Sequence, residues 1–140
     1  VEYTGQDLDL WHLDFDTTTQ EFAQWTLVMP SDWNAGTVTA IFYWTCTGGS
    51  GGQTIRWGLA GRAFANDDAI DQAFGTPQTV DDTFLANGDL HVTAATGAIT
   101  FAGSPAAGQL VQVRALRDPG NDNLGGDARL LAVRITYTRA

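Results

Sequence analysis

His12, His91, the single Cys46 and a scatter of aspartates are the side chains that could do acid, base or nucleophilic chemistry. A catalytic nucleophile needs a base beside it and a third group to orient that base. His12 lies between Trp11 and Leu13. His91 falls in the run Asp89-Leu90-His91-Val92-Thr93, opposite in facing to Leu90 and Val92, as expected of a surface or edge residue. Cys46 sits on the apolar side of its own run and reads as inert packing. Glycoside hydrolysis needs two carboxyl groups across a sugar, one of them with a raised pKa. The acids here fall mainly in turns, as Asp67-Asp68, Asp81-Asp82, Asp118, Asp122 and Asp127, where aspartate bonds to its own backbone. Asp118–Asp127 offers the hard oxygens calcium takes, but it lacks the glycine and closing glutamate of an EF-hand and reads as a surface loop. The expectation is a non-enzymatic protein with no catalytic residue, no metal and no cofactor.

Stacking on sugars is the other chemistry available, through Trp11, Trp25, Trp33, Trp44 and Trp57. Trp44 shares a face with Val38 and Phe42, and Trp57 alternates with Ile55 and Leu59, so both read as core. Trp33 lies in the turn Pro30–Gly36. There it is either a ligand platform, suited to a host-surface glycan, or a plug in the end of the fold.

The elements that must position these residues are strands. Lysine is absent and glutamate occurs only at Glu2 and Glu21, so two good helix formers are nearly missing, while threonine, valine, glycine and aromatics abound. In Thr37–Thr47 the even positions Val38, Ala40, Phe42, Trp44 and Cys46 form one apolar face. Leu110–Arg117 and the stretch 129–138 alternate in the same way. Leu8–Phe15, Phe22–Val28, Thr54–Ala60, Gln78–Leu85, Leu90–Ala94 and Ala98–Phe101 are further candidates, separated by turn signals such as Gly48–Gly52 and Asn87-Gly88. Asn66–Gly75 has a capping residue, early acids and a terminal glycine, which predicts one short helix. The fold expected is all-β: an antiparallel jelly-roll-like β-sandwich of about eight or nine strands. Residues 1–21 read as an N-terminal arm or edge strand and 22–140 as a single domain.

Composition excludes some partners. Seven arginines face sixteen acids, for a formal charge of -9. Such a surface repels phosphate, so neither nucleic acid nor an anionic membrane is an expected partner. No apolar run approaches the roughly 20 residues that span a bilayer, and none resembles a signal peptide. A chain that starts at Val1 without methionine reads as processed or as a fragment.

Several strands are apolar on both sides, where a solitary sandwich shows polar residues to water. Ile41 and Tyr43 back one core face, and Leu130 and Arg134 lie behind the other. Charge-poor faces of this kind mark contacts between copies, and Arg134 could pair across such a contact. These four residues are the expected subunit interface. Leu8, Leu10, Trp11, Leu13 and Phe15 are the expected contacts of an N-terminal arm with a neighbour or a shell beneath.

The stretch Trp33-Asn34-Ala35-Gly36-Thr37-Val38-Thr39-Ala40-Ile41-Phe42-Tyr43-Trp44-Thr45 resembles one found in a group of tailed-bacteriophage virion proteins. So do Ile55–Leu59, Asp68–Asp71, Leu90–Thr93 and Gly126–Tyr137. The resemblance runs from about Phe22 onward and carries no catalytic residues. It implies a jelly-roll-like module, usually trimeric, on the capsid exterior or at a fibre tip. With no shaft-like repeat before the module, the reading is a homotrimeric capsid decoration or cement protein. It would assemble in the host cytoplasm and contact the major capsid protein. A fibre-tip module binding a receptor or carbohydrate is the alternative.

Overall fold

Alternation in the chain decides the layers. In Thr39–Cys46 the even positions Ala40, Phe42, Trp44 and Cys46 are fully buried, while Thr39, Ile41 and Tyr43 are half-buried on the opposite side. The computed structural model describes residues 2–3, 5–6 and 8–140. Its strands are β1 (Glu2–Tyr3), β2 (Leu8–Asp9), β3 (Leu13–Phe15), β4 (Phe22–Val28), β5 (Thr39–Cys46), β6 (Thr54–Phe64), β7 (Gln78–Thr83), β8 (His91–Val92), β9 (Leu110–Arg117) and β10 (Ala128–Thr136).

Eight of these form two four-stranded antiparallel sheets, β3-β10-β5-β8 and β4-β9-β6-β7, and β1 and β2 form a separate hairpin. The pairing is nested. β6 pairs with β7, β5 with β8, β4 with β9 and β3 with β10, so the chain is a long hairpin rolled on itself. Rolling adds the β10–β5 and β9–β6 pairs that complete each sheet. This is the strand order of a jelly roll, as expected. Trp57 is the centre of the core between the sheets. Its ring stacks on Phe42 at 5.8 Å and meets Phe15 edge-on at 5.1 Å.

A buried ion pair, invisible to hydrophobic patterning, closes one end. Arg117, the last residue of β9, is fully buried. It forks onto Asp122 at 2.9 and 3.0 Å, and its remaining N–H groups donate to the carbonyls of Phe15, Leu124 and Gly126 at 2.9–3.1 Å. All its donors are therefore met, as burial of a charge requires. The same guanidinium ties β3 to the loop that leads into β10.

Four expectations change. Asn66–Gly75 is not a helix: Asp67 sits at φ 72°, where a right-handed helix cannot continue, and Asp68 turns back to accept the Ala65 N–H. The segment instead runs beside β6 where β7 stops, its Gly75 N–H donating to Gly61 O at 3.1 Å. Ala98–Phe101 contributes only a bridge between Ile99 and Val38, and Leu8–Phe15 divides into β2 and β3. Leu13–Phe15 supplies the edge strand that residues 1–21 were expected to offer as an alternative to an arm. Lastly, a bulge between Leu130 and Ala132 shifts the parity of β10. Leu130 thereby turns into the core, Val133 and Ile135 pack against it, and Leu130 is not an outer-face residue.

Removing Arg117 strands the Asp122 carboxylate, whose side chain is 2% exposed. Arg117→Ala should therefore lose about 3–5 kcal/mol in urea unfolding. Arg56→Ala, which removes the more exposed pair with Asp81, should lose about 0–1 kcal/mol in the same assay.

Candidate interaction surface

The groups capable of chemistry are each committed to structure. His91 lies on an edge strand, one of the two positions expected for it, but it is buried and not at the surface. Its ring stacks on Trp44 at 4.2 Å and lies near Phe84 at 5.9 Å. Nε2 accepts the Leu85 N–H at 2.9 Å, so the proton sits on Nδ1, 3.0 Å from the Asp89 carbonyl. Parity explains the error: on the short edge strand β8 one side must face the core, and it is Leu90 and Val92 that are exposed. Trp44 in turn donates its indole N–H to Asp82 at 2.8 Å. His12 has only Asp14 beside it, at 3.4 Å.

Cys46 is fully buried, and that burial pushes its thiol above the usual range. Gly48-Gly49-Ser50-Gly51-Gly52 spells a G-x-S-x-G pattern that the sequence reading treated only as a loop. It joins strand to strand, not strand to helix, so it is a turn rather than a nucleophile elbow. Among the described residues no three His, Cys, Asp or Glu side chains gather as a metal site would. In the Asp118–Asp127 loop, Asp122 holds Arg117 and Asp118 accepts from Asn121 at 2.8 Å.

Trp33 is 2% exposed and packs on Phe101 at 5.9 Å. It plugs the end of the sandwich and offers no platform to a glycan, because its turn folds inward between Met29 and the bridge to Arg139.

The feature left over is an uncovered apolar face. The outer side of β4-β9-β6-β7 is dressed by the chain itself: Arg114 lies between the rings of Phe22 and Phe74 at 4.4 and 4.5 Å, and Arg62 holds Ala73 O at 3.0 Å. On the outer side of β3-β10-β5-β8 the described residues cover the sheet only in part and leave a groove. Tyr43, Thr45, Leu131 and Ala132 of this sheet, with Gly88 and Leu90, form the floor of a groove of about 880 Å³. Gly5, Gln6, Leu8 and Leu10 of the N-terminal hairpin stand along it. Leu8, Leu10, Leu13, Leu90 and Val92 remain exposed around the groove, and Trp11 is 92% exposed. The Thr45 hydroxyl is buried there without a hydrogen-bond partner among the described residues.

The sequence-predicted residues are thus partly brought together. Tyr43, Leu8 and Leu10 share the groove, Trp11 and Leu13 line a smaller depression beside it, and Ile41 pairs in register with Arg134 on the neighbouring strand. Phe15 does not belong with them. Its ring is buried against Trp57, because as the innermost residue of β3 it faces the opposite sheet, so it is a core residue and not an arm contact. Ala132 lies on the outer side that the alternation gives it, whereas Leu131 and Leu90 line the groove against the alternation. The bulge that exposes Leu131 leaves no mark in the alternation.

Comparison of the chain with protein-family models, with curated proteins and with solved structures finds no match.

Burial of Cys46 has a direct readout. A thiol reagent should label it only as fast as the protein unfolds, at least about 100-fold more slowly than in urea-unfolded chain. Rapid labelling under native conditions would show that the core near β5 opens.

Proposed function

We propose that this chain is a non-enzymatic structural module of a tailed-bacteriophage virion, which trimerises and decorates the outside of the capsid against the major capsid protein. One observation carries the self-association: among the described residues the outer face of β3-β10-β5-β8 keeps an open apolar groove rimmed by exposed leucines, while side chains lie over the corresponding face of the other sheet. Apolar surface of this extent is ordinarily covered in the working state, and closed cyclic symmetry is the usual way for identical chains to cover one another. The resemblance of Trp33–Thr45 and Gly126–Tyr137 to phage virion modules supports the setting.

The mechanism is mechanical. Each copy buries a charge-poor face against neighbours, and many modest contacts add through multivalency to hold a shell against internal pressure. The acidic remainder of the surface, with a net charge of -9, keeps the modules soluble before assembly and meets basic patches on a shell.

Light scattering on the purified chain at micromolar concentration should give the mass of three copies. Ile41→Glu combined with Tyr43→Glu should weaken association by about 30-fold or more, with an unchanged far-UV circular dichroism spectrum. A wild-type monomer overturns the reading. Immunogold labelling of intact particles should mark the head, and label confined to fibre tips would replace decoration with attachment.

A further inference from the structure

We infer that the open edge of β10 is the seat for the N-terminal segment of a second copy, with that copy's Trp11 as the knob. The inference rests on the self-association proposed above and names the contact that would make it. β10 pairs with β5 along its length, but on its other side β3 covers only Ala128–Leu130. From Leu131 to Thr136 no described strand lies against that side. A bare strand edge is a template for pairing with another chain. The opposite edge of the same sheet is treated differently. Beyond the two residues of β8, Thr93 and Thr96 each accept and donate to β5, taking the Phe42 and Ala40 N–H groups at 3.1 Å and giving their own N–H groups to the same residues' carbonyls.

Beneath the bare edge the two sheets do not close. One depression of about 200 Å³ is lined by Trp25, Leu27, Val113, Val133 and Ile135, and an adjoining one of about 230 Å³ runs from Trp25 to the chain's own Trp11, His12 and Leu13. Such an apolar hole beside an unpaired edge suits an extended segment that adds main-chain hydrogen bonds and inserts a side chain. Trp11, at 92% exposed, is the most exposed large apolar side chain described, and tryptophan is the residue that most often anchors such contacts.

Charge selects the occupant. Residues 1–16 carry Glu2, Asp7, Asp9, Asp14 and Asp16 and no lysine or arginine, whereas residues 128–140 carry Arg129, Arg134 and Arg139 and no acid. Within the chain this attraction is already used once, where Arg129 meets Asp14 at 3.4 Å. Arg134 is exposed beside the bare edge with no ion pair among the described residues. The chain's own segment takes only the rim of the adjoining depression, at Trp11, His12 and Leu13, and none of the deeper one: it leaves its pairing with β10 at Leu13, pairs Leu8 and Asp9 with Tyr3 and Glu2, and aims Leu8 and Leu10 at the neighbouring groove. A second copy supplies the same acidic, tryptophan-bearing segment from outside.

Two single variants of the full chain, Trp11→Cys and Val133→Cys, each in a Cys46→Ala background, test this when mixed and oxidised. A disulfide joining one of each is expected, and the double variant should link into multimers rather than close on itself. Arg134→Glu should cut the cross-linked yield at least about threefold. A purely intramolecular cross-link in the double variant overturns the inference in favour of closure within one chain. No cross-link in a sample that light scattering shows to be oligomeric overturns the inference and leaves the proposed self-association standing. A monomer at every concentration defeats both.

Discussion

The mismatch between β10 and the strands beside it governs much of this molecule. β10 spans nine residues and finds β5 along its length, yet β3 offers it only three. A jelly roll closes its seam only as far as its outermost pair reaches. Here that pair is the shortest in its sheet but for β8, so the last six residues of β10 border solvent on one side. The bulge at Leu131 adds to the effect by turning Leu131 and Ala132 outward, where they join Tyr43 in an apolar groove. The short pairing thus opens the seam, and the bulge beside it shapes the face.

The short pairing is nevertheless firmly placed. Arg117 reaches from β9 to the carbonyl of Phe15 and clamps the end of β3, while the Phe15 ring wedges against Trp57. The carboxylate of Asp122 completes the clamp and also accepts the Arg56 N–H at 3.3 Å, so the neighbouring strands β9 and β6 share it. A buried, fully hydrogen-bonded charge adds little net stability relative to an apolar plug, but it permits only one arrangement of its partners. In this chain it fixes where β3 begins to pair and hence where the open edge starts. Rigid framing beside an uncovered surface is the division of labour expected of a module that works by contact.

How much of this the residues disclosed can be argued element by element. The strand from Thr39 to Cys46, the burial of Trp44 and Trp57, and the sandwich itself follow from period-two alternation and the poverty of helix formers. That signal is additive along the chain and needs no tertiary knowledge. The helix expected over Asn66–Gly75 failed because capping residues and acids serve equally well in turns, and the segment has no apolar stripe to dock; Ile70 is 77% exposed. His91 and Trp33 were misplaced or left open because a polar tip on a flat ring suits core and surface alike, and only their neighbours, Trp44 and Phe101, decide. Of the contact surface, Ile41, Tyr43 and the N-terminal leucines were legible as apolar residues on the wrong side of a strand. Leu130 was read on the wrong side, and Leu131 was missed, because a bulge reverses facing without altering composition.

The central claim is that the outer face of β3-β10-β5-β8 is covered in the protein's working state. Hydroxyl-radical footprinting across a concentration series reads this at the side chains themselves. Tyr43, Leu90 and Trp11 should become protected as concentration rises, while Ile70 and Val28, the latter on the other sheet, react at an unchanged rate. Oxidation of Trp11 and Tyr43 that does not slow at any concentration, alone or on an assembled particle, would contradict it.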